Sequence, residues 1–365
     1  LQADFYVLNC NSGYAPPSYK IKFIETVNYC EATIGYGPIR KIITLNGDIW
    51  QIVLLFIFSL FLIILFQYRE IVKRYPKELF IVTILFISPS VNMLIHLSNP
   101  DIFYFALIYF VLNKYKQNPI LNSGIIYLFS LWKIHAIGII VGLILCSLVL
   151  KNYKVLKINV FYLLATITTY IVDTQTTEPL KIPDAPDERH AYGMLHDSLQ
   201  LTKYTDFQNS FHSFTFLVIL SLCVFICVKV VSNKIDYKEI SSFRTYEMYG
   251  YAYWFFLTFI YQNQSYRLPI FLILFIHVYS NSKDYIKYFL LSALLLNPVF
   301  TGEYIFLEKV SLIANRFGLY VVFSYLLAIY LSDLYRGFIS KYLSIKFLDN
   351  FSEKIKNADS KQYNI

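Results

Sequence analysis

Charge is scarce in this sequence. Lys, Arg, Asp and Glu together make up 15% of its 365 residues, against 56% hydrophobic residues and a mean hydropathy of +0.48. That balance lies outside the range of water-soluble globular domains, and no soluble domain of ordinary size remains between the apolar runs. Gly-rich phosphate loops, a Gly-x-Ser-x-Gly nucleophile and Cys-x-x-Cys pairs are all missing, which argues against nucleotide use, acyl transfer by serine and thiol redox chemistry. The six histidines include no His-x-x-x-His, and no carboxylate repeat has ligand spacing, so neither a metal nor another cofactor is expected. His190, His196 and His212 read as members of a polar loop. There is no internal repeat and no low-complexity tract. A dense basic patch is absent too: the net charge of +8 is spread as single lysines in short loops, which marks topogenic charge and gives no reason to expect nucleic acid. Of the five cysteines, Cys146, Cys223 and Cys227 fall in apolar runs as core residues, while Cys10 and Cys30 share one polar segment and their spacing leaves pairing open.

What the chain does have is a succession of apolar runs long enough to enter a bilayer, which predicts an all-α polytopic membrane protein. Residues 1–48 form a polar loop, and the opening Leu-Gln-Ala-Asp without a signal peptide raises the expectation of a first helix upstream. Spans are expected at 49–67, 79–97, 102–112, 120–132, 136–150, 158–172, 214–231, 249–261, 268–280, 286–300 and 317–335, about 11 in all. Several are short, as half-spans or tilted helices around a cavity would be. Arg69, Lys73, Arg74 and Lys77 follow the first run and place that loop in the cytoplasm; Lys114, Lys116, Lys151, Lys154, Lys157, Lys234, Lys238, Arg244, Lys283, Lys287 and the tail 336–365 then fall on the same side. The larger loops 1–48 and 173–213 lie outside on this topology. The second, with three prolines and alternating charge, suits a surface helix or a lid. The 33 Tyr and 32 Phe partly supply interfacial belts.

The stretch from Ser88 to Gly142 organises the site. Lys133 and His135 stand two residues apart between apolar runs, where an ionisable side chain is expensive. Upstream, Ser88-Pro89-Ser90, Asn92, His96 and Asn99-Pro100-Asp101 break the apolar pattern, which is tolerated at membrane depth where protein or a water-filled cavity satisfies the backbone. These residues read as the wall of an outward-facing cavity. Lys133 is equally readable as a lysine snorkelling to the headgroups, and His135 as a hydrogen-bonded core histidine. Arg267 ends the polar turn Gln262-Asn263-Gln264-Ser265-Tyr266-Arg267, and its planar fork suits a phosphate, although an interfacial anchor would look the same. Arg316, beside Asn315 near the outer end of the last span, is a candidate for the same role. Asp4 alone is an ordinary loop acid.

Taken in order, Ala3-Asp4-Phe5-Tyr6, then Tyr36-Gly37-Pro38 before a span, then Ser88-Pro89, the polar turn ending in Asp101, and Lys133-Ile134-His135 resemble the GT-C class of integral-membrane glycosyltransferases. Among these the chain is most similar to the polyprenol-phosphate-mannose-dependent mannosyltransferases of glycosyltransferase family 87, over about residues 3–145. Where that family often has Lys-aromatic-Pro, this chain reads Lys133-Ile134-His135-Ala136, and its polar turn reads Ser98-Asn99-Pro100-Asp101. The resemblance implies a GT-C-like bundle in a bacterial plasma (inner) membrane, with 49–172 as its helical module and 214–335 as the C-terminal helices. It implies an inverting transfer of a mannose-like hexose from a polyprenyl-phosphate donor to a glycan or glycolipid acceptor. Asp4 would be the general base, Lys133, Arg267 and His135 would hold the donor phosphate, and Tyr36, Asn99, Asp101 and Arg316 would line the cavity. A polyprenyl-linked glycan polymerase or ligase is the nearer alternative, since it too needs outer arginines and a large loop. A secondary transporter is the further one, since it normally shows two related halves.

Overall fold

The computed structural model describes residues 68–86, 101–176, 191–194, 197, 214–222, 243–260, 263–264, 268, 271–282, 284–295 and 305–334. Among them the chain is helical apart from one two-residue ladder. The helices are α1 (Leu79–Phe86), α2 (Asp101–Asn113), α3 (Pro119–Trp132), α4 (Ile137–Val149), α5 (Tyr153–Thr176), α6 (Tyr246–Ile260), α7 (Leu272–Asn281), α8 (Asp284–Leu295) and α9 (Ile305–Leu334), with 3-10 turns at Pro76–Glu78 and Ile134–Ala136. Residues 68–74 and 214–222 are helical as well. The strands are β1 (Ala191–Tyr192) and β2 (Asn263–Gln264), paired antiparallel with Ala191 opposite Gln264.

Local chemistry sets the helix ends. Pro119 opens α3 behind Asn118, whose side-chain oxygen accepts from the Leu121 amide at 3.3 Å. Lys133 closes α3 in an extended conformation (φ −125°), and a single 3-10 turn re-aims the chain into α4. Between α4 and α5 the chain reverses through Lys151, a non-glycine residue at φ 55°. The Asn152 amide reaches back to the Ser147 carbonyl at 2.8 Å and the Lys151 amide to Leu148 at 3.1 Å, the pairing of a Schellman cap. Asn152 then caps α5 through the Val155 amide at 3.3 Å.

Close packing follows from small residues. Gly138 and Gly142, one turn apart on α4, lie against the backbone of α6: a Cβ on Gly142 would sit 2.2 Å from the Tyr249 carbonyl oxygen, and one on Gly138 would sit 2.4 Å from that of Tyr253. This Gly-x-x-x-Gly spacing lets two helices meet backbone to backbone, which in a bilayer replaces the missing hydrophobic drive. Gly318 does the same for α9 on α8, where a Cβ would meet the Phe289 carbonyl at 2.6 Å. The α3–α5 pair is joined by hydroxyls: Ser130 faces Thr166 at 3.1 Å, and the Tyr170 hydroxyl donates to the Ser130 carbonyl at 2.7 Å. Aromatic rings fill the core between α6, α7 and α9, with Phe255 against Phe275 (5.4 Å between centroids) and Phe256 against Phe323 (5.2 Å).

Two helical stretches, Tyr153–Val172 and Val310–Leu334, are long and apolar enough to cross a membrane. They differ in setting: 17% of the first stretch's apolar window is buried in the protein against 67% of the second's. Accordingly α5 turns Phe161, Leu164 and Val172 outward, while α9 runs through the core. Expected spans at 102–112, 120–132, 136–150 and 249–261 coincide with α2, α3, α4 and α6 to within a few residues. The last element differs. Its helix begins at Ile305, so Arg316 lies well inside a 30-residue helix and within the apolar stretch Val310–Leu334, away from the helix end expected from the sequence. The charge of Arg316 accounts for the later start expected from the sequence, and a helix tolerates such a charge when it is paired.

Candidate functional site

The direction of each helix follows from its contacts with α6. Gly138 meets Tyr253 and Gly142 meets Tyr249, so α4 runs antiparallel to α6. Phe259 touches Tyr320 while the Tyr249 hydroxyl donates to Asp333, so α9 is antiparallel as well. Leu112 packs on Gly250 and Tyr115 on Tyr246, which brings the end of α2 to the start of α6.

The bundle therefore has a Tyr246 end and an Ile260 end, and charge is sorted between them. At the Tyr246 end stand Arg69, Lys73, Arg74, Lys77, Lys114, Lys116, Lys151, Lys154, Arg244 and Lys287, the loops assigned to one side from the sequence. At the Ile260 end the described basic residues are Lys133, Lys309 and Arg316.

The Tyr246 end is closed by hydrogen-bonded clusters. Tyr115, Ser123 and Asn159 bond mutually at 2.8–3.0 Å, all three buried. Asp333, 1% exposed, accepts from the Arg244 guanidinium and the Tyr249 hydroxyl. Arg74 reaches Glu247 at 3.4 Å and Asn113 at 3.0 Å, and Tyr75 meets His277 Nδ1 at 2.8 Å.

At the Ile260 end the candidate residues take their places on the breaks between helices. Lys133, 4% exposed, occupies the step between α3 and α4, and half-buried His135 sits in the 3-10 turn that follows. Asp101 is the first residue of α2, at the end away from Leu112. The ladder ties part of the 173–213 loop to the α6–α7 connection, three residues before Arg267. From the same loop, Asp197 meets Arg316 Nε at 3.3 Å and accepts from the Tyr320 hydroxyl at 3.3 Å. Burial pushes the Asp197 carboxyl above the ordinary aspartate range, with Arg316 and Tyr320 pulling it back. Asp4, Tyr36, Asn99 and Arg267 lie outside the described residues.

No protein-family model, curated protein or solved structure matches the chain.

The sequence reading singled out Arg316 and placed Asp197 only as one charge in the loop; their pairing joins positions 119 residues apart, which local spacing does not reveal. Asp333 and Arg244 were also not linked. A lone acid inside an apolar run was the available signal for Asp333, since such a residue faces a partner inside the bundle. Among the described residues no group of His, Cys, Asp and Glu is arranged to hold a metal ion.

Proposed function

We propose that the chain is a membrane-embedded inverting glycosyltransferase that moves a mannose-like hexose from a polyprenyl-phosphate donor to a glycan or glycolipid acceptor on the outer face of a bacterial plasma membrane. The observation that carries this reading is the sorting of the bundle. Basic loops gather at the Tyr246 end, as cytoplasmic loops do, while Lys133, His135, Asp101 and Arg316 share the opposite end with the segment that precedes Arg267. Exposed apolar side chains along α3, α5 and α9, among them Leu128, Phe161 and Ile313, suit contact with lipid.

In the reaction an acceptor hydroxyl oxygen bonds to the anomeric carbon as the bond from that carbon to the phosphate oxygen breaks. The hydroxyl proton passes to the Asp4 carboxylate, and polyprenyl phosphate departs with its charge met by Lys133, Arg267 and His135. Tyr36, Asn99, Asp101 and Arg316 line the cavity in this reading. Asp4→Asn keeps the shape of the side chain and removes the proton acceptor. Turnover in a transfer assay with polyprenyl-phosphate-linked hexose falls by about 100-fold or more, with donor binding little changed. Full activity of that variant sinks the general-base role.

A second reading, a polymerase or ligase of polyprenyl-linked glycans, is favoured by the contact between the large loop and Arg316. It is told apart by product: repeat-unit chains in place of a single added sugar, with Asp4→Asn active.

A further inference from the structure

Two loops that are separate in the sequence meet at the Tyr246 end. Lys114 and Lys116 stand on either side of Tyr115 in the α2–α3 connection, and Lys151, Lys154 and Lys157 lie in the α4–α5 connection and the opening turns of α5. Tyr115 is the link: fully buried, it donates through its hydroxyl to Asn159 Oδ1 at 3.0 Å, and Ser123 joins the knot from α3. The bonds Ser123–Asn159 and Ser130–Thr166 both span 36 residues, so α3 and α5 run parallel and start side by side. The backbones that carry the lysines are fixed as well. The Asn122 side-chain amide and the Gln117 backbone amide both donate to the Lys114 carbonyl at 3.0 Å, and Lys151 sits at φ 55° inside the cap between α4 and α5.

Charge at this corner is uncompensated. No Asp or Glu occurs between Asp101 and Asp173, the stretch that holds both loops. Elsewhere at the same end Lys73 pairs with Glu70 at 2.9 Å, Arg74 with Glu247 at 3.4 Å, and Arg244 with Asp333. Among the described residues the five lysines make no ion pair, and all five are exposed. Apolar side chains are exposed beside them: Ile120 and Leu121 in the first turn of α3, 56% and 58% exposed, and Tyr153 at the start of α5, 58% exposed. A partner for this surface presents negative charge and hydrocarbon together. A soluble acidic protein brings the first, whereas a phospholipid of net negative charge brings both, its headgroup to the ammonium groups and its chains to the apolar face that α5 turns outward.

We propose that the corner formed by the α2–α3 and α4–α5 connections binds an anionic phospholipid of the adjacent leaflet, its phosphate held by the two lysine loops and its chains lying along α3 and α5. The inference goes beyond the transferase reading and rests on the chain lying in a bilayer. It is local, unlike the general sorting of positive charge to one end: binding belongs to the unpaired lysines of one corner.

The test uses the full chain in phosphatidylcholine nanodiscs doped with a photoactivatable phosphatidylglycerol or, in a parallel sample, with a phosphatidylcholine probe of the same acyl chains. Cross-linked peptides fall within residues 113–121 and 150–161 and are about 10-fold more abundant with the phosphatidylglycerol probe. That excess shrinks several-fold in about 0.5 M salt, where exposed charges are screened. Lys114→Gln with Lys116→Gln, or Lys154→Gln with Lys157→Gln, lowers it about five-fold or more, whereas Arg69→Gln with Lys73→Gln, the same change of charge at the same end, leaves it in place. Equal labelling by the two probes, labelling centred on residues 69–77, or an equal loss in the Arg69 and Lys73 double variant overturns the proposal. The first two are read on the parent chain, with no variant that could misfold. Binding of poly-glutamate from solution without any lipid preference assigns the corner to an acidic protein and is equally fatal. A chain that does not enter the nanodisc ends the membrane reading and this inference together, whereas insertion with equal labelling ends the inference alone.

Discussion

The two ends of the bundle are built on different terms. At the Tyr246 end, polar side chains are buried in clusters that bond among themselves: Tyr115, Ser123 and Asn159 form one, and Asp333, Arg244 and Tyr249 another. Among the described residues of the Ile260 end, a two-residue ladder to the α6–α7 connection and the contacts of Asp197 with Arg316 and Tyr320 tie loop residues to the bundle. A cluster in which every member has its partner costs a great deal to open in a low dielectric, whereas a few long contacts are exchanged readily. Rigidity at one end and replaceable contacts at the other would suit the proposed placement of chemistry at the second.

The largest expected effect comes from breaking the first end. Asp333→Ala removes the carboxylate from beneath the Arg244 guanidinium and the Tyr249 hydroxyl, and a buried pair broken on one side costs about 3 kcal/mol or more. Thermal unfolding of the full chain in nanodiscs measures it. The same measurement on Asp197→Asn, which keeps the shape of the side chain and an acceptor for the Tyr320 hydroxyl, shows a smaller loss, about 1 kcal/mol, because both of its contacts are 3.3 Å long. Equal losses for the two variants erase the contrast between the ends.

Next in size is Gly142→Ala. Its Cβ would lie 2.2 Å from a backbone oxygen that cannot swing aside, so α4 and α6 move apart at a cost of about 2 kcal/mol. Gly124→Ala meets only the Tyr162 hydroxyl, at 3.1 Å and on a side chain that can shift, and its cost stays below about 0.5 kcal/mol. A similar penalty at both positions removes backbone contact as the reason for the α4–α6 fit.

The smallest effect concerns pH. Asp197 faces Arg316 and Tyr320, both on α9, and burial raises its carboxyl above the ordinary value. The Asp197 carboxylate in the fold therefore binds a proton more readily than it does in the unfolded chain. The fold gains stability as the pH falls through the raised value toward the ordinary aspartate range and loses it as the pH rises again. Hydrogen exchange over residues 190–198, corrected for intrinsic rates, slows several-fold between pH 7 and mild acid and is flat in Asp197→Asn. A slope of opposite sign contradicts the burial argument.

Much of the helical layout was legible because apolar runs bounded by charge are a direct record of what a helix can bury or expose to lipid. The runs at 102–112 and 120–132 became α2 and α3 almost residue for residue. The break at Lys133 was legible for the same reason: an ionisable pair between apolar runs has few alternatives to a turn. Legibility stopped at charges that are paired across the chain. Arg316 suggested a helix end because an isolated arginine is costly in an apolar stretch, and Asp197, brought in from a distant loop, helps to make its position tolerable. The Gly138–Gly142 spacing was present in the sequence, but its partner surface on α6 is more than 100 residues away. Of the candidate site, Lys133, His135, Asp101 and Arg316 fall at one end, while the assignments on Asp4, Tyr36, Asn99 and Arg267 rest on the sequence alone.

The unequal lengths of α3 and α5 carry one more consequence. The two helices run side by side from the level at which Ser123 bonds Asn159; α3 stops at Trp132, whereas α5 continues to Thr176. At about 1.5 Å per residue, α5 overtops its neighbour by roughly 12 Å. In a bilayer a step of that height would leave the end of the short helix below the level of its neighbour, where lipid must thin or water must dip to meet it. The mismatch between two neighbouring helices would thus be felt by the bilayer as a local thinning beside α3.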